Sequence, residues 1–169
     1  MKQLKTLLLA ITLCIGAFSF TQAQSKVAHI NTQELIVAMP EYKAAQTEIE
    51  TLSKTYDTEF KGIAAEYQNT YKQYEAEAPT KTDEENQKRG VALQEKQQRI
   101  QQFQTDAAKD LQDKQAALMV PITEKAKAAI LKVSRAQGFQ YVLDSSPGGG
   151  VIMADGKNLL DDVKKELGI

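Results

Sequence analysis

Tryptophan is absent from the 169 residues, cysteine and histidine occur once each, and proline occurs four times. A lone cysteine and a lone histidine exclude a self-contained zinc site, which needs three or four Cys, His or acid ligands. Positive charge is not in excess either: 21 basic against 22 acidic residues leave a formal net charge of −1. That balance lacks the basic face expected of a nucleic-acid binder, so no nucleic-acid partner is expected. The length allows one domain, or one domain with a long appendage, and hardly two full domains.

The one long hydrophobic run lies at the N-terminus. Met1-Lys2-Gln3-Leu4-Lys5 is a short basic stretch, residues 7–20 are apolar or small throughout, and Thr21-Gln22-Ala23 closes with small residues at −3 and −1. This pattern predicts a secretory signal peptide over 1–23, cleaved after Ala23, because the run is too short to span a bilayer comfortably. Cys14 belongs to that run and follows Leu13, where a lipobox wants a small residue. The predicted mature chain, 24–169, therefore has no cysteine; it carries 19 basic and 22 acidic residues, a net charge of −3. With no disulfide to staple it, it must gain stability from packing or oligomerisation.

Glycine and large aliphatics are scarce in the middle. Residues 40–137 hold two glycines, Gly62 and Gly90, and only 15 Leu, Ile, Val or Phe residues, too few for a globular core. Disorder is not the reading, since 15 basic and 16 acidic residues nearly cancel and the apolar positions are periodic. Ile49, Leu52, Tyr56, Phe60, Ile63, Tyr67, Tyr71, Tyr74 and Ala78 step by three and four. Ile49/Phe60/Tyr71 and Leu52/Ile63/Tyr74 repeat by eleven, the period of a nearly straight helix with one apolar stripe. A second ladder, Ile100, Phe103, Ala107, Leu111, Leu118, Ile122, Ala129 and Val133, has the same rhythm, with Lys114 and Lys125 on two rungs. Between them Pro79 disfavours helix at Ala78, and Thr82 with Glu85 forms a capping box for a new helix. Two stripes joined by one turn predict an antiparallel helical hairpin with its tip near 79–83. Pro121, inside the second stripe, is expected to bend this arm where it leaves the body.

The flanks predict a small α+β body from 24–39 and 138–169. Lys26-Val27-Ala28-His29-Ile30 reads as a strand, and Asn31 with Glu34 as the N-cap pair of a brief helix to Met39. Gly138 is placed to end the second long helix. Phe139-Gln140-Tyr141-Val142-Leu143-Asp144 and Val151-Ile152-Met153 read as strands, joined in a hairpin by the turn Ser145-Ser146-Pro147-Gly148-Gly149-Gly150. Asn158 is a candidate cap for a last amphipathic helix, 159–167. So small a sheet is marginal alone, which points to oligomerisation through Val27, Ile30, Tyr141, Leu143, Val151 and Ile152.

Catalytic and cofactor motifs fail on spacing. Gly156-Lys157 lacks both the upstream glycine, since position 151 is Val151, and the Ser/Thr that would complete a phosphate loop, since Asn158 follows. His29 sits on a predicted strand with no partner in sequence, and reads as a packed or edge-strand histidine. Asp83-Glu84-Glu85 and Asp161-Asp162 fall at helix starts, where acids complement the macrodipole. No enzyme, metal or cofactor is indicated. Tyr67, Tyr71 and Tyr74 fit the inner seam of the hairpin; near the tip, rings that face outward would suit adaptable binding.

Taken in order, the signal peptide, the opening strand Lys26-Val27-Ala28-His29-Ile30-Asn31, the long helical hairpin, Gly138-Phe139-Gln140-Tyr141-Val142-Leu143-Asp144 and the closing Leu159-Leu160-Asp161-Asp162-Val163-Lys164-Lys165 resemble the Skp (OmpH-like) family of periplasmic chaperones. The resemblance spans the predicted mature chain. It implies a homotrimer whose arms enclose a cavity, holding unfolded outer-membrane β-barrel proteins without ATP. Tyr67, Tyr71 and Tyr74 are then the candidate client contacts. Type members of the family carry strongly basic arms, whereas 40–137 here nets −1 and the tip, 75–89, nets −2. The resemblance leaves peripheral membrane proximity open, but no basic lipid-binding patch is evident, and client holding is expected to depend less on salt than a basic cage would. A structural spacer or an adaptor of the cell envelope is the alternative from another class.

Overall fold

The computed structural model describes residues 26–169; the expected signal peptide, its cleavage after Ala23 and Cys14 lie outside the described residues. Strand β1 (Val27–Ile30) leads into helix α1 (Thr32–Ala38), and helix α2 (Pro40–Glu77) follows after a single break. A 3-10 turn (Ala78–Thr80) precedes helix α3 (Asp83–Ala136), and the chain ends in β2 (Tyr141–Asp144), β3 (Lys157–Asn158) and α4 (Leu160–Leu167).

Local chemistry sets each boundary. Asn31 accepts a hydrogen bond from the Glu34 amide at 3.0 Å and starts α1. Pro40 forces the residue before it out of the helical region, so Met39 is extended (ψ 133°) and α2 begins anew at Pro40. Thr82 Oγ1 accepts from the Glu85 amide and Glu85 accepts from the Thr82 amide, both at 3.2 Å, completing the capping box of α3. Gly138, at φ +74°, reverses the chain after α3: its amide reaches the Arg135 carbonyl and the Phe139 amide reaches the Ser134 carbonyl.

At 38 and 54 residues, α2 and α3 extend roughly 57 and 81 Å at 1.5 Å per residue. Side-chain pairs join them along that length: Glu41 with Lys125, Glu48 with Lys114, Tyr56 with Asp110, Glu66 with Lys96 and Glu77 with Arg89. As the α2 number rises, the α3 number falls. Among the described residues no helix is long and apolar enough to cross a membrane.

The sheet differs from the expected hairpin. Its order is β2-β1-β3 with both neighbours parallel to β1. A chain leaving one edge strand for a parallel strand at the opposite edge cannot use a tight turn. Residues 145–156 make that crossing instead, with Gly148 and Gly150 at positive φ and Gly149 lying so close to the Asp144 carbonyl that a Cβ would sit 2.6 Å from it. Val151-Ile152-Met153 forms no strand; the third strand is Lys157–Asn158. His29 consequently sits on the central strand and not at an edge. The last helix starts at Leu160, where the Asn158 side chain accepts the Leu160 amide at 2.9 Å from just outside the cap position.

One apolar core joins these parts. Ala28 and Ile30 point from β1 onto Leu35 and Met39, with Leu159, Leu160 and Val163 closing one side and Ala45, Ile122, Ala126, Ala129 and Val133 contributed by the roots of α2 and α3. The body therefore includes the ends of both long helices. From residue 46 to residue 121 no residue is buried.

Candidate client-binding surface

Along α2 the stripe residues Ile49, Leu52, Tyr56, Phe60, Ile63, Tyr67 and Tyr74 are half-buried, and Tyr71 is 47% exposed. Two helices side by side cover only the strip where they touch, so each ring keeps a solvent-facing flank. Tyr56 meets Phe103 edge-on, 6.0 Å between centroids at 79°, a favourable ring geometry. Its hydroxyl donates to Asp110 at 2.7 Å, and that bond pushes the phenol above its usual range. Tyr67 and Tyr71 lie 6.5 Å apart with tilted planes.

The lysines that interrupt the α3 ladder have partners. Lys114 bonds Glu48 at 2.8 Å, which raises its affinity for the proton. Lys125 bonds Glu41 and Lys96 bonds Glu66, and each hydrogen bond holds its carboxylate below the ordinary range. Glu77 is lowered first by its bond from Gln73 and then by Arg89, whose guanidinium reaches it at 2.5 Å. These cross-helix pairs were invisible to a reading of each stripe alone. Their trace was the ladder itself: continued toward the tip, it passes through Lys96, Leu93, Arg89 and Asn86.

Near the root, Tyr42, Ala45, Ile49, Leu118 and Met119 line an open groove of about 680 Å³. At the tip, Arg89 lies over the Tyr74 ring, 4.6 Å from its centroid, a cation–ring contact. Pro121 lies within α3 without ending it. The Thr123 hydroxyl donates to the Met119 and Val120 carbonyls at 3.0 and 2.8 Å. The first buried residue of α3 is Ile122, so Pro121 stands at the border between exposed arm and packed root.

Of the oligomerisation candidates, Val27, Tyr141 and Leu143 share the outer face of the sheet, because Val27 pairs with Tyr141 and His29 with Leu143 in register. All three are exposed. Ile30 does not join them: strand alternation turns it to the opposite side, where it is 1% exposed in the protomer's own core. Ile152 is fully exposed and Val151 half-buried, both on the crossing segment.

His29 is tied by both ring nitrogens, Nδ1 to Ser145 Oγ at 3.1 Å and Nε2 to the Gly156 carbonyl at 3.2 Å, which anchors the crossing segment to β1. Asp144 clamps β2 to α1. Burial pushes its carboxyl up, but hydrogen bonds from Ser146 and Thr32 outweigh that and hold it at about 2. Among the described residues no group of His, Cys, Asp and Glu is placed to hold a metal ion.

Residues 26–167 match the family model of OmpH-like outer membrane proteins. The fold is similar to the crystal structure of a protein from Caulobacter crescentus CB15 assigned as an OmpH-like outer membrane chaperone. The TM-score is 0.76 at 18% identity, over 86% of this chain and 85% of that one. Comparison with curated proteins gives no match.

Proposed function

Because this chain belongs to the OmpH-like outer membrane protein family, we propose that it is a chaperone holding unfolded outer-membrane β-barrel proteins in the periplasm, without ATP and without chemistry. In this reading α2 and α3 form an antiparallel hairpin arm, and three protomers join through their bodies so that the arms surround a client. Tyr67, Tyr71 and Tyr74 are contacts for it, and Pro121 is the point where the arm bends. The observation that carries the reading is the long stretch without a buried residue, 46–121, lined by half-exposed Tyr, Phe, Ile and Leu.

The physics suits that task. An unclosed barrel strand exposes lipid-facing apolar side chains and unpaired backbone groups. A long surface of partly exposed rings and aliphatics, flanked by charge, offers many weak contacts and no fixed pocket. Capture is then a mass-action equilibrium that lowers the free concentration of aggregating chains. The exposed Val27, Tyr141 and Leu143 on the outer sheet face support self-association, since a small body gains by covering such a patch.

Dilution of a urea-unfolded β-barrel protein into buffer, followed by light scattering, tests the proposal. Scattering should fall as the purified mature chain is added and level off at a fixed ratio near three chains per client. Undiminished scattering across several barrel clients would refute it, and solution mass separately tests the trimer.

A further inference from the structure

Gly62 and Gly90 are the only glycines within α2 and α3. A Cβ built on either meets nothing within 4 Å, so no packing inside the protomer demands glycine there. Glycine is a poor helix former, and one of its uses is to leave backbone open to an approaching ligand. Gly90 lies in a cleft of about 330 Å³ at the arm tip, bordered by Tyr71, Tyr74, Arg89 and Leu93.

We propose that this tip cleft binds an aromatic side chain of an extended, unfolded client segment. The inference rests on the chaperone reading and deepens it by naming what the tip recognises. Arg89 is already fixed, paired to Glu77 and laid on the Tyr74 ring, so its guanidinium borders the cleft as a held cation. The electron-rich face of an incoming ring complements that cation. The half-exposed Tyr71 supplies an aromatic neighbour and Leu93 an apolar wall. Glu75 also lines the cleft, and the tip is net negative, which disfavours an acidic occupant. Barrel strands collect aromatic residues in two girdles, so such a client presents rings at intervals along its chain.

The protein has no tryptophan, so a peptide with one central Trp reports its own binding by fluorescence. Otherwise identical peptides with Phe, Leu or Glu at that position serve as competitors. The cleft predicts that Phe competes well, Leu less and Glu least. Gly90→Leu, which fills the cleft, and Tyr71→Ala, which removes one wall, should each weaken Trp-peptide binding about tenfold. Gly62→Leu, outside the tip cleft and beside Ile63 and Phe103 farther along the helices, should weaken it far less, and the helical circular-dichroism signal checks that each variant is folded. No binding by the wild type, wild-type affinity in folded Gly90→Leu, or Leu competing as well as Phe overturns the proposal. Aggregation suppression by the wild-type chain, measured alongside, separates the two failures. If suppression holds while the cleft variants bind normally, only the tip inference falls; if suppression fails, the chaperone reading falls with it.

Discussion

Truncating one residue in the body and one in the arm should have very different consequences. Leu35 has no exposed surface and sits in a core of twelve buried apolar residues, four of them alanine. Leu35→Ala removes three carbons, which at about 0.8 kcal/mol per buried methylene is about 2.4 kcal/mol. Incomplete collapse of the cavity raises the expected loss to about 3–4 kcal/mol. Ile63→Ala removes the same number of carbons from a half-exposed position where no enclosed cavity can form, so its expected cost is about 1 kcal/mol. Urea denaturation followed by circular dichroism, at one protein concentration for all variants, measures both. Because domains of this kind are stable by only about 5–15 kcal/mol, Leu35→Ala should shift the midpoint strongly and Ile63→Ala slightly. Equal shifts would show that the arm hides a dry core and would refute the open-seam account.

Thr82→Ala should cost about 1 kcal/mol of helix stability, seen as faster amide exchange in the first turn of α3 with little change in the body. Asp144 has a native carboxyl held at about 2 against an ordinary 3.8. Its contribution is therefore complete above the ordinary value and is lost as pH falls toward 2. Urea midpoints should decline more steeply for the wild type than for Asp144→Asn in that window, and parallel curves would contradict the clamp. A double-mutant cycle on Glu66 and Lys96 should give a small coupling that falls away toward about 1 M salt, because Glu66 is exposed and Lys96 only partly covered. Client binding, in contrast, should change little over the same salt range, since the arms carry almost no net charge.

What could be read in the sequence was whatever repeats or caps locally. The three–four ladders identify both long helices, Thr82 with Glu85 marks the start of the second, and Gly138 marks its end. The sheet order was not legible for a physical reason. Lys157–Asn158 is two polar residues long and has no alternation, so nothing in it signals a strand, while the apolar Val151-Ile152-Met153 has the composition of one but no partner to pair with. Likewise Val27/His29 and Ala28/Ile30 are both plausible inner faces of a four-residue strand; only packing against Leu35 and Met39 decides for Ala28 and Ile30, and removes Ile30 from the outward surface. Lys114 and Lys125 stand on two rungs of the second ladder, but their pairing with Glu48 and Glu41 is evident only when the register of the two helices is known.

Hydrogen exchange on a complex of this chain with an outer-membrane β-barrel protein tells a held, unfolded client from a folded one. The client should stay soluble and exchange throughout its length like an unfolded chain, while protection rises in this protein along residues 46–121 and little elsewhere. A client that is protected as a folded barrel, or protection gained only in the body, would contradict it.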